Sequence, residues 1–341
     1  MTTHLKYSAL NLVPIREGYS DMDAIDQHII LAKHLEKCGY ERLWIAEHHN
    51  APNLVSSATS LLIQHTLAHT KTMRIGSGGI MLPNHAPLIV AEQFGTLHKI
   101  YGNRVDLGLG RAPGTDMATA SALRRNQHDG VYQFPEEVRQ LLQYFGPETN
   151  QGYVKAIPAV GTDVPIYILG SSTDSAHVAA SEGLPYVFAG HFAPDQMKEA
   201  LEIYRERFEP SRHLEQPYII VCLNTIVAET DAIAHHLATT QVQVFANILN
   251  GRMHKIQPPV EDLSTILSPR ILTMSQQRVA QSLIGSNETV KEKIKKFLIE
   301  YGNINEIMAV SYIYDESAQH QSYARFKHLM DDLNQAKHIT S

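Results

Sequence analysis

Residues 43–50 read LWIAEHHN, so Glu47, His48 and His49 follow directly on an apolar stretch. Imidazole titrates near working pH and also ligates metals, and three uses compete here: a metal pair, a catalytic base, or two histidines that simply finish a strand. Neighbouring side chains on a strand point to opposite faces, so Glu47, His48 and His49 do not all reach one ion while the strand persists. The metal use loses ground. A histidine that passes protons to and from a bound reactant is the sharper reading, beside the plainer one of two satisfied structural histidines.

Three further stretches offer ligand chemistry. In MRIGSGGIMLPNHAP (73–87), Gly76, Gly78 and Gly79 surround Ser77. Glycines weaken a strand, and this run signals either a flat ligand or a backbone in close approach, or a bulge that helps a sheet close. In VDLGLGRAPGTD (105–116), Gly108 and Gly110 alternate along one face and leave it without side chains. Arg111 follows, where a guanidinium can meet an anion. GLGRAPG does not fit the dinucleotide pattern G-x-G-x-x-G. In YILGSSTDSAHVAASEGLPYVFAGHF (167–192), Gly170, Ser171 and Ser172 close a strand, and a helix starts at once with Thr173 and Ser175 beside it. Free N–H groups and hydroxyls at a helix start make a receptor for a phosphate monoester. Serines there are also ordinary caps, and Asp174 repels a phosphate unless it points outward.

These residues need elements to carry them. Residues 6–12, 42–46, 73–79, 105–110, 165–169, 185–189, 218–228 and 307–313 read as strands. Helical spacing covers 22–38, 56–69, 87–101, 131–145, 174–182, 194–208, 231–249, 288–301 and 317–333. Eight short strands alternating with helices predict an α/β chain with parallel strands, a closed (β/α)₈ TIM barrel in preference to an open doubly wound sheet. A minimal barrel takes roughly 250 residues, so about 90 of the 341 remain for rim insertions, at 112–130, 146–164 and 251–284. The last follows the seventh strand and carries Pro258-Pro259. It is expected to be an active-site lid on a single domain, 1–341, with an interface loop as the plainer use.

The 43% hydrophobic content fills a large core, and the formal charge of −6 comes without any basic block. Nucleic acid and anionic membrane are therefore poor partners. Cys38 and Cys222 are the two cysteines; they suit neither a bridge nor a zinc site and fit a cytoplasmic protein. No signal pattern opens the chain, and no apolar run approaches the roughly 20 residues of a membrane span.

Taken in order, LWIAEHHN, GSGGIMLPNHAPLIVAEQFGTL, RVDLGLGRAPGTD, LGSSTDSAHVAASEGLPYVFAGHF and LIGSNETV resemble the bacterial luciferase-like superfamily of flavin-dependent monooxygenases, in particular its single-subunit, luciferase alpha-like branch. The resemblance runs from about residue 5 to residue 313. It implies a barrel that holds FMN, or in sister families a deazaflavin, across the C-terminal ends of its strands. It further implies a non-prolyl cis peptide at Ser77-Gly78 behind the flavin ring, with His48 as catalytic residue and His49 supporting the strand end or pocket wall. Arg111 falls near the flavin phosphate, and Gly170, Ser171, Ser172 and Ser175 fall in the phosphate loop. His85 lines the substrate side. Gly110 replaces the reactive cysteine of luciferase, which opens the pocket, removes any role for a thiol and argues against light emission.

The reaction so implied takes reduced FMN as a diffusible co-substrate, captures O₂ as a C4a-peroxyflavin, and oxygenates a small organic substrate, with an aldehyde as the family-based guess. The alternatives are a deazaflavin-dependent oxidoreductase that transfers hydride and a non-catalytic flavin-binding protein. No dinucleotide fingerprint is present, so a separate flavin reductase is expected as partner. Luciferase-like proteins pair through early helices, and 56–69 is apolar on more than one side (Leu61, Leu62, Ile63, Leu67). A homodimer or higher homo-oligomer is expected, and no metal.

Overall fold

The computed structural model describes residues 4–112, 114–123 and 130–339. Strands β1 (Lys6–Asn11), β2 (Arg42–Ile45), β3 (Arg74–Met81), β4 (Val105–Gly110), β5 (Ile166–Gly170), β6 (Tyr186–Phe188), β7 (Ile219–Val227), β8 (Leu283–Gly285) and β9 (Glu306–Val310) alternate with helices. The helices are α1 (Asp21–Cys38), α2 (Thr59–His69), α3 (Pro87–Tyr101), α4 (Met117–Leu123), α5 (Gly130–Phe145), α6 (Thr173–Ser181), α7 (Met197–Glu206), α8 (Asp231–Leu249), α9 (Pro269–Arg278), α10 (Asn287–Tyr301) and α11 (Glu316–Ile339). Every strand pairing is parallel. The order β6-β5-β4-β3-β2-β1-β9-β7 closes on itself through a β6–β7 pair, which makes an eight-stranded (β/α)₈ barrel. β8 is an extra short strand beside the upper end of β7, formed by the last residues of the 251–284 insertion.

Local chemistry sets the element ends. Ser20 and Asp23 form a reciprocal capping box at the start of α1, and Gly39, at φ 76°, ends it in the left-handed conformation that costs glycine no Cβ clash. One apolar core lies between barrel and helices. A second fills the lumen with Leu10, Trp44, Tyr167, Ile220, Met308 and Tyr312.

Two glycine expectations are corrected. The non-prolyl cis peptide is Gly78-Gly79, one bond beyond Ser77-Gly78, where neither flanking residue carries a Cβ. The inner side of β4 is not empty either. The β3–β4 register shifts between Ser77 and Ile80, and this bulge drives the Ser77 carbonyl onto Gly108, where Leu169 of β5 also packs, while the Met81 thioether occupies the space over Gly110. The glycines serve close approach of two strands.

The insertion at 112–130 contributes α4; residues 113 and 124–129 of it lie outside the described residues. The 251–284 segment is partly ordered structure. Ile256 exchanges backbone hydrogen bonds with Ile15 and Glu17, α9 packs on α8, and Arg278 Nη1 donates to the Phe192 carbonyl.

Candidate functional site

His48 sits just past β2, at the C-terminal mouth of the barrel. Its backbone N–H donates to the Ser56 carbonyl at 3.2 Å, and Thr59 Oγ1 donates to the Ala46 carbonyl at 3.0 Å, which anchors the strand end to the start of α2. Burial pushes the His48 pKa below its ordinary value, against the pull of Glu47, so the ring is neutral at pH 7. Its Nδ1 is buried with no protein partner.

His191 follows β6 and was not singled out from sequence. Its N–H donates to the Cys222 carbonyl at 2.8 Å, and its own carbonyl accepts from Asn224 Nδ2 at 2.8 Å. Burial, with a smaller contribution from the His48 charge, lowers its pKa to about 4. Both imidazoles are neutral at pH 7. His191 Nδ1 and Asn224 Oδ1 are buried without a protein partner, like His48 Nδ1. A buried polar atom left unpaired costs about 1–3 kcal/mol, and three gathered at one mouth make it the candidate site. The signal in the sequence was the histidine of YVFAGHF at a strand end. Burial holds the nearby Cys222 thiol protonated, which leaves it no nucleophilic role.

Past the end of β2, Glu47 and His49 bond to each other, and His48 takes no part in that bond. Glu47 Oε1 accepts from His49 Nε2 and from His85 Nε2, each at 2.8 Å, and its Oε2 accepts the Met81 N–H at 3.2 Å. Burial raises the Glu47 carboxyl, but the two histidine hydrogen bonds outweigh it and leave it below the usual carboxylate range. His85 thus joins the Glu47 side, in a cavity of about 450 Å³ that Glu47, His49, Ser57, Ser60, Ile80 and Gln93 also line.

The anion side lies across the mouth. Arg111, just past β4, pairs with Asp174 at 2.7 Å, and both are partly exposed. Asp174 stands in the first turn of α6, so the ion pair draws its charge toward Arg111. The Ser172 hydroxyl makes no cap bond, which leaves it and the first N–H groups of α6 free for an anion. Ser171 is half-buried beside it. Ser175 is spent within the fold: its hydroxyl donates to the Ser172 carbonyl at 3.1 Å, lies 3.2 Å from the Tyr186 hydroxyl, and packs where a Cβ on Gly170 would stand. The fully buried Ser77 hydroxyl likewise donates to the Gly108 carbonyl at 2.8 Å. Ser77 and Gly78 offer the site backbone only.

Residues 5–302 match the model of the luciferase-like monooxygenase family. A Bacillus subtilis protein, YddN, is 46% identical over 96% of each chain. An Escherichia coli protein named luciferase-like monooxygenase is 41% identical over 96% of this chain and 98% of its own. Among solved structures, apo-MsnO8 superposes with a TM-score of 0.85 at 29% identity, covering 96% of this chain and 99% of that one. Two distant structures share the fold. One is the oxygenating constituent of 3,6-diketocamphane monooxygenase of Pseudomonas putida with FMN (TM-score 0.69, 20% identity, 95% and 97% covered). The other is an F420-dependent secondary alcohol dehydrogenase with an F420-acetone adduct (TM-score 0.63, 17% identity, 96% and 98% covered).

Proposed function

The chain belongs to the luciferase-like monooxygenase family, and on that premise we propose that it is an FMN-dependent monooxygenase that uses reduced FMN and O₂ to oxygenate a small, aldehyde-like organic substrate. The observation that carries this reading is the set of three unpartnered buried atoms, His48 Nδ1, His191 Nδ1 and Asn224 Oδ1, at the barrel mouth. When bound, a reduced flavin supplies the electrons that activate O₂.

The chain's residues do the rest. Arg111, the Ser172 hydroxyl and the N–H groups of α6 hold the phosphate end, with Ser171 beside them. The Gly78-Gly79 backbone would face the ring. His48 acts as catalytic residue: its Nδ1 holds or moves a proton at the reacting edge, which a neutral imidazole does at neutral pH. His191 is the second polar contact from the opposite strands. The 251–284 segment excludes water as a lid.

Solved proteins of this fold carry FMN in one case and F420 in another. The phosphate receptor at α6 suits either, so the choice of FMN rests on the monooxygenase relatives. Reduced FMN would come from a separate reductase in the cytoplasm. Among the described residues no helix is long and apolar enough to cross a membrane. Leu61 on α2 and Ile89 and Ile100 on α3 are exposed, which supports pairing of two copies through these helices.

The test is aldehyde oxygenation by purified protein supplied with photoreduced FMN and ¹⁸O₂. Label in the acid product, lost in His48→Ala, supports the proposal. Hydride transfer from reduced deazaflavin without oxygen uptake replaces it with the deazaflavin reading. Tight FMN binding without either reaction leaves a flavin-binding protein.

A further inference from the structure

Strand alternation separates His48 from its neighbours, and on that ground the sequence argued against a metal. The fold supplies what the sequence could not: His85, from the segment after β3, arrives beside Glu47 and His49. One ligand atom from each of these three residues lies within 4.8 Å of the others. We propose that Glu47, His49 and His85 bind one divalent transition-metal ion, with zinc-like ligand preference, at the joint between the ends of β2 and β3.

The donor set is two imidazoles and one carboxylate, which suits zinc or cobalt and is poor for calcium or magnesium, whose sites are built from oxygen. With neutral imidazoles the site carries one negative charge. Both histidines present Nε2 to the same Glu47 oxygen, so all three donors already converge. Tetrahedral zinc with ligands at about 2.1 Å spaces its ligand atoms roughly 3.4 Å apart. The two 2.8 Å contacts therefore need to open by about half an ångström. Met81 N–H holds the second carboxylate oxygen, the kind of outer contact that orients a metal ligand. Glu47 is 1% exposed, while the His49 and His85 side chains are 14% and 29% exposed. The carboxylate is thus buried and the imidazoles reachable from the 450 Å³ cavity, which gives both an entry path and space for a water as fourth ligand.

Two N–H groups donating to one carboxylate use the same atoms. The arrangements differ in tautomer, since a metal on Nε2 moves the hydrogen of each neutral imidazole to Nδ1. Chelator-stripped full-length protein is titrated with Zn²⁺ and with Co²⁺, by calorimetry in buffers of different ionisation enthalpy and by visible absorption of Co²⁺. The proposal expects one ion per chain, the intense visible bands of tetrahedral Co²⁺, and a binding enthalpy that does not change with the buffer. It also expects affinity to fall on the order of 100-fold or more in His85→Ala, His85→Gln and Glu47→Gln. The His85→Gln variant, checked by thermal melting, decides if Glu47→Gln does not fold. Absence of stoichiometric binding overturns the proposal. So does binding that survives His85→Gln but disappears in His65→Ala, because His65 and His69 stand ring to ring, 4.5 Å apart, one turn from each other on α2.

Discussion

The two ends of the barrel lumen are both polar, and they differ in how completely their polar groups are paired. At the N-terminal floor, Arg42 meets Asp106 at 2.8 Å, Glu306 at 3.0 Å and the Tyr167 hydroxyl at 2.7 Å. Arg74 and the Trp44 indole N–H also donate to Asp106, and the Tyr218 hydroxyl donates to Glu306. Burial raises the Asp106 carboxyl, but Arg42 and Arg74 outweigh it and keep it ionised. At the mouth, the His48, His191 and Asn224 side chains each leave a buried atom unpaired. A saturated cluster holds the strands in register, whereas an unsaturated one waits for a ligand. Buried unpaired polar atoms also occur elsewhere, Ser8 Oγ and His320 Nε2 among them, and the mouth differs in gathering three where the strands end.

Breaking the floor gives the largest expected effect on stability. Asp106→Ala takes a carboxylate from the buried Arg42 and from the half-buried Arg74 and is expected to cost about 3–5 kcal/mol, read as a lowered urea midpoint. A loss under about 1 kcal/mol would show that the floor is no different in kind from the mouth. His48→Ala is the reciprocal case. Product formation is expected to fall roughly 10²–10⁴-fold, with a change in stability under about 1 kcal/mol by the same urea assay. Loss of stability with unchanged turnover would assign His48 to the scaffold.

Acid sharpens the comparison. His191 has its folded pKa lowered to about 4 by burial, and so has His28, which sits between Asn11 and Thr66. Their unfolded value is near 6.5, so between pH 6.5 and 4 the unfolded chain binds more protons than the folded one. Stability from these groups is full above pH 6.5 and declines as pH falls toward 4. Urea midpoints measured across that window should fall with acid, and less steeply in His191→Gln. An identical slope in the variant means that His191 is not buried neutral.

At the phosphate side the effects are smaller. Arg111 and Asp174 are partly exposed, and their pair contributes at most about 1 kcal/mol to stability. For reduced FMN, Arg111→Ala is expected to raise the dissociation constant about tenfold, and Asp174→Asn to lower it. Riboflavin, lacking the phosphate, should respond to neither. Equal effects on both ligands would move the phosphate elsewhere.

Much of this frame was legible in the chain. All eight barrel strands were read from short apolar runs, since each needs only a local pattern. β8 was missed because three residues, Leu283–Gly285, give no period. Asp106 was hidden within an apolar strand, and its partners Arg42 and Arg74 begin other strands. His85 was assigned to the substrate side, whereas its bond to Glu47 spans 38 positions that only the fold brings together. The glycines of β3 signalled a close approach or a bulge, whereas those of β4 signalled an empty face that backbone, Leu169 and Met81 in fact fill.

The most direct measurement of the central claim is rapid mixing of the anaerobic protein and photoreduced FMN with oxygenated buffer, following the return of oxidised-flavin absorbance in wild type and His48→Ala. A delayed return is expected in wild type and a markedly faster one in the variant. Return at the free-solution rate in both proteins would contradict it.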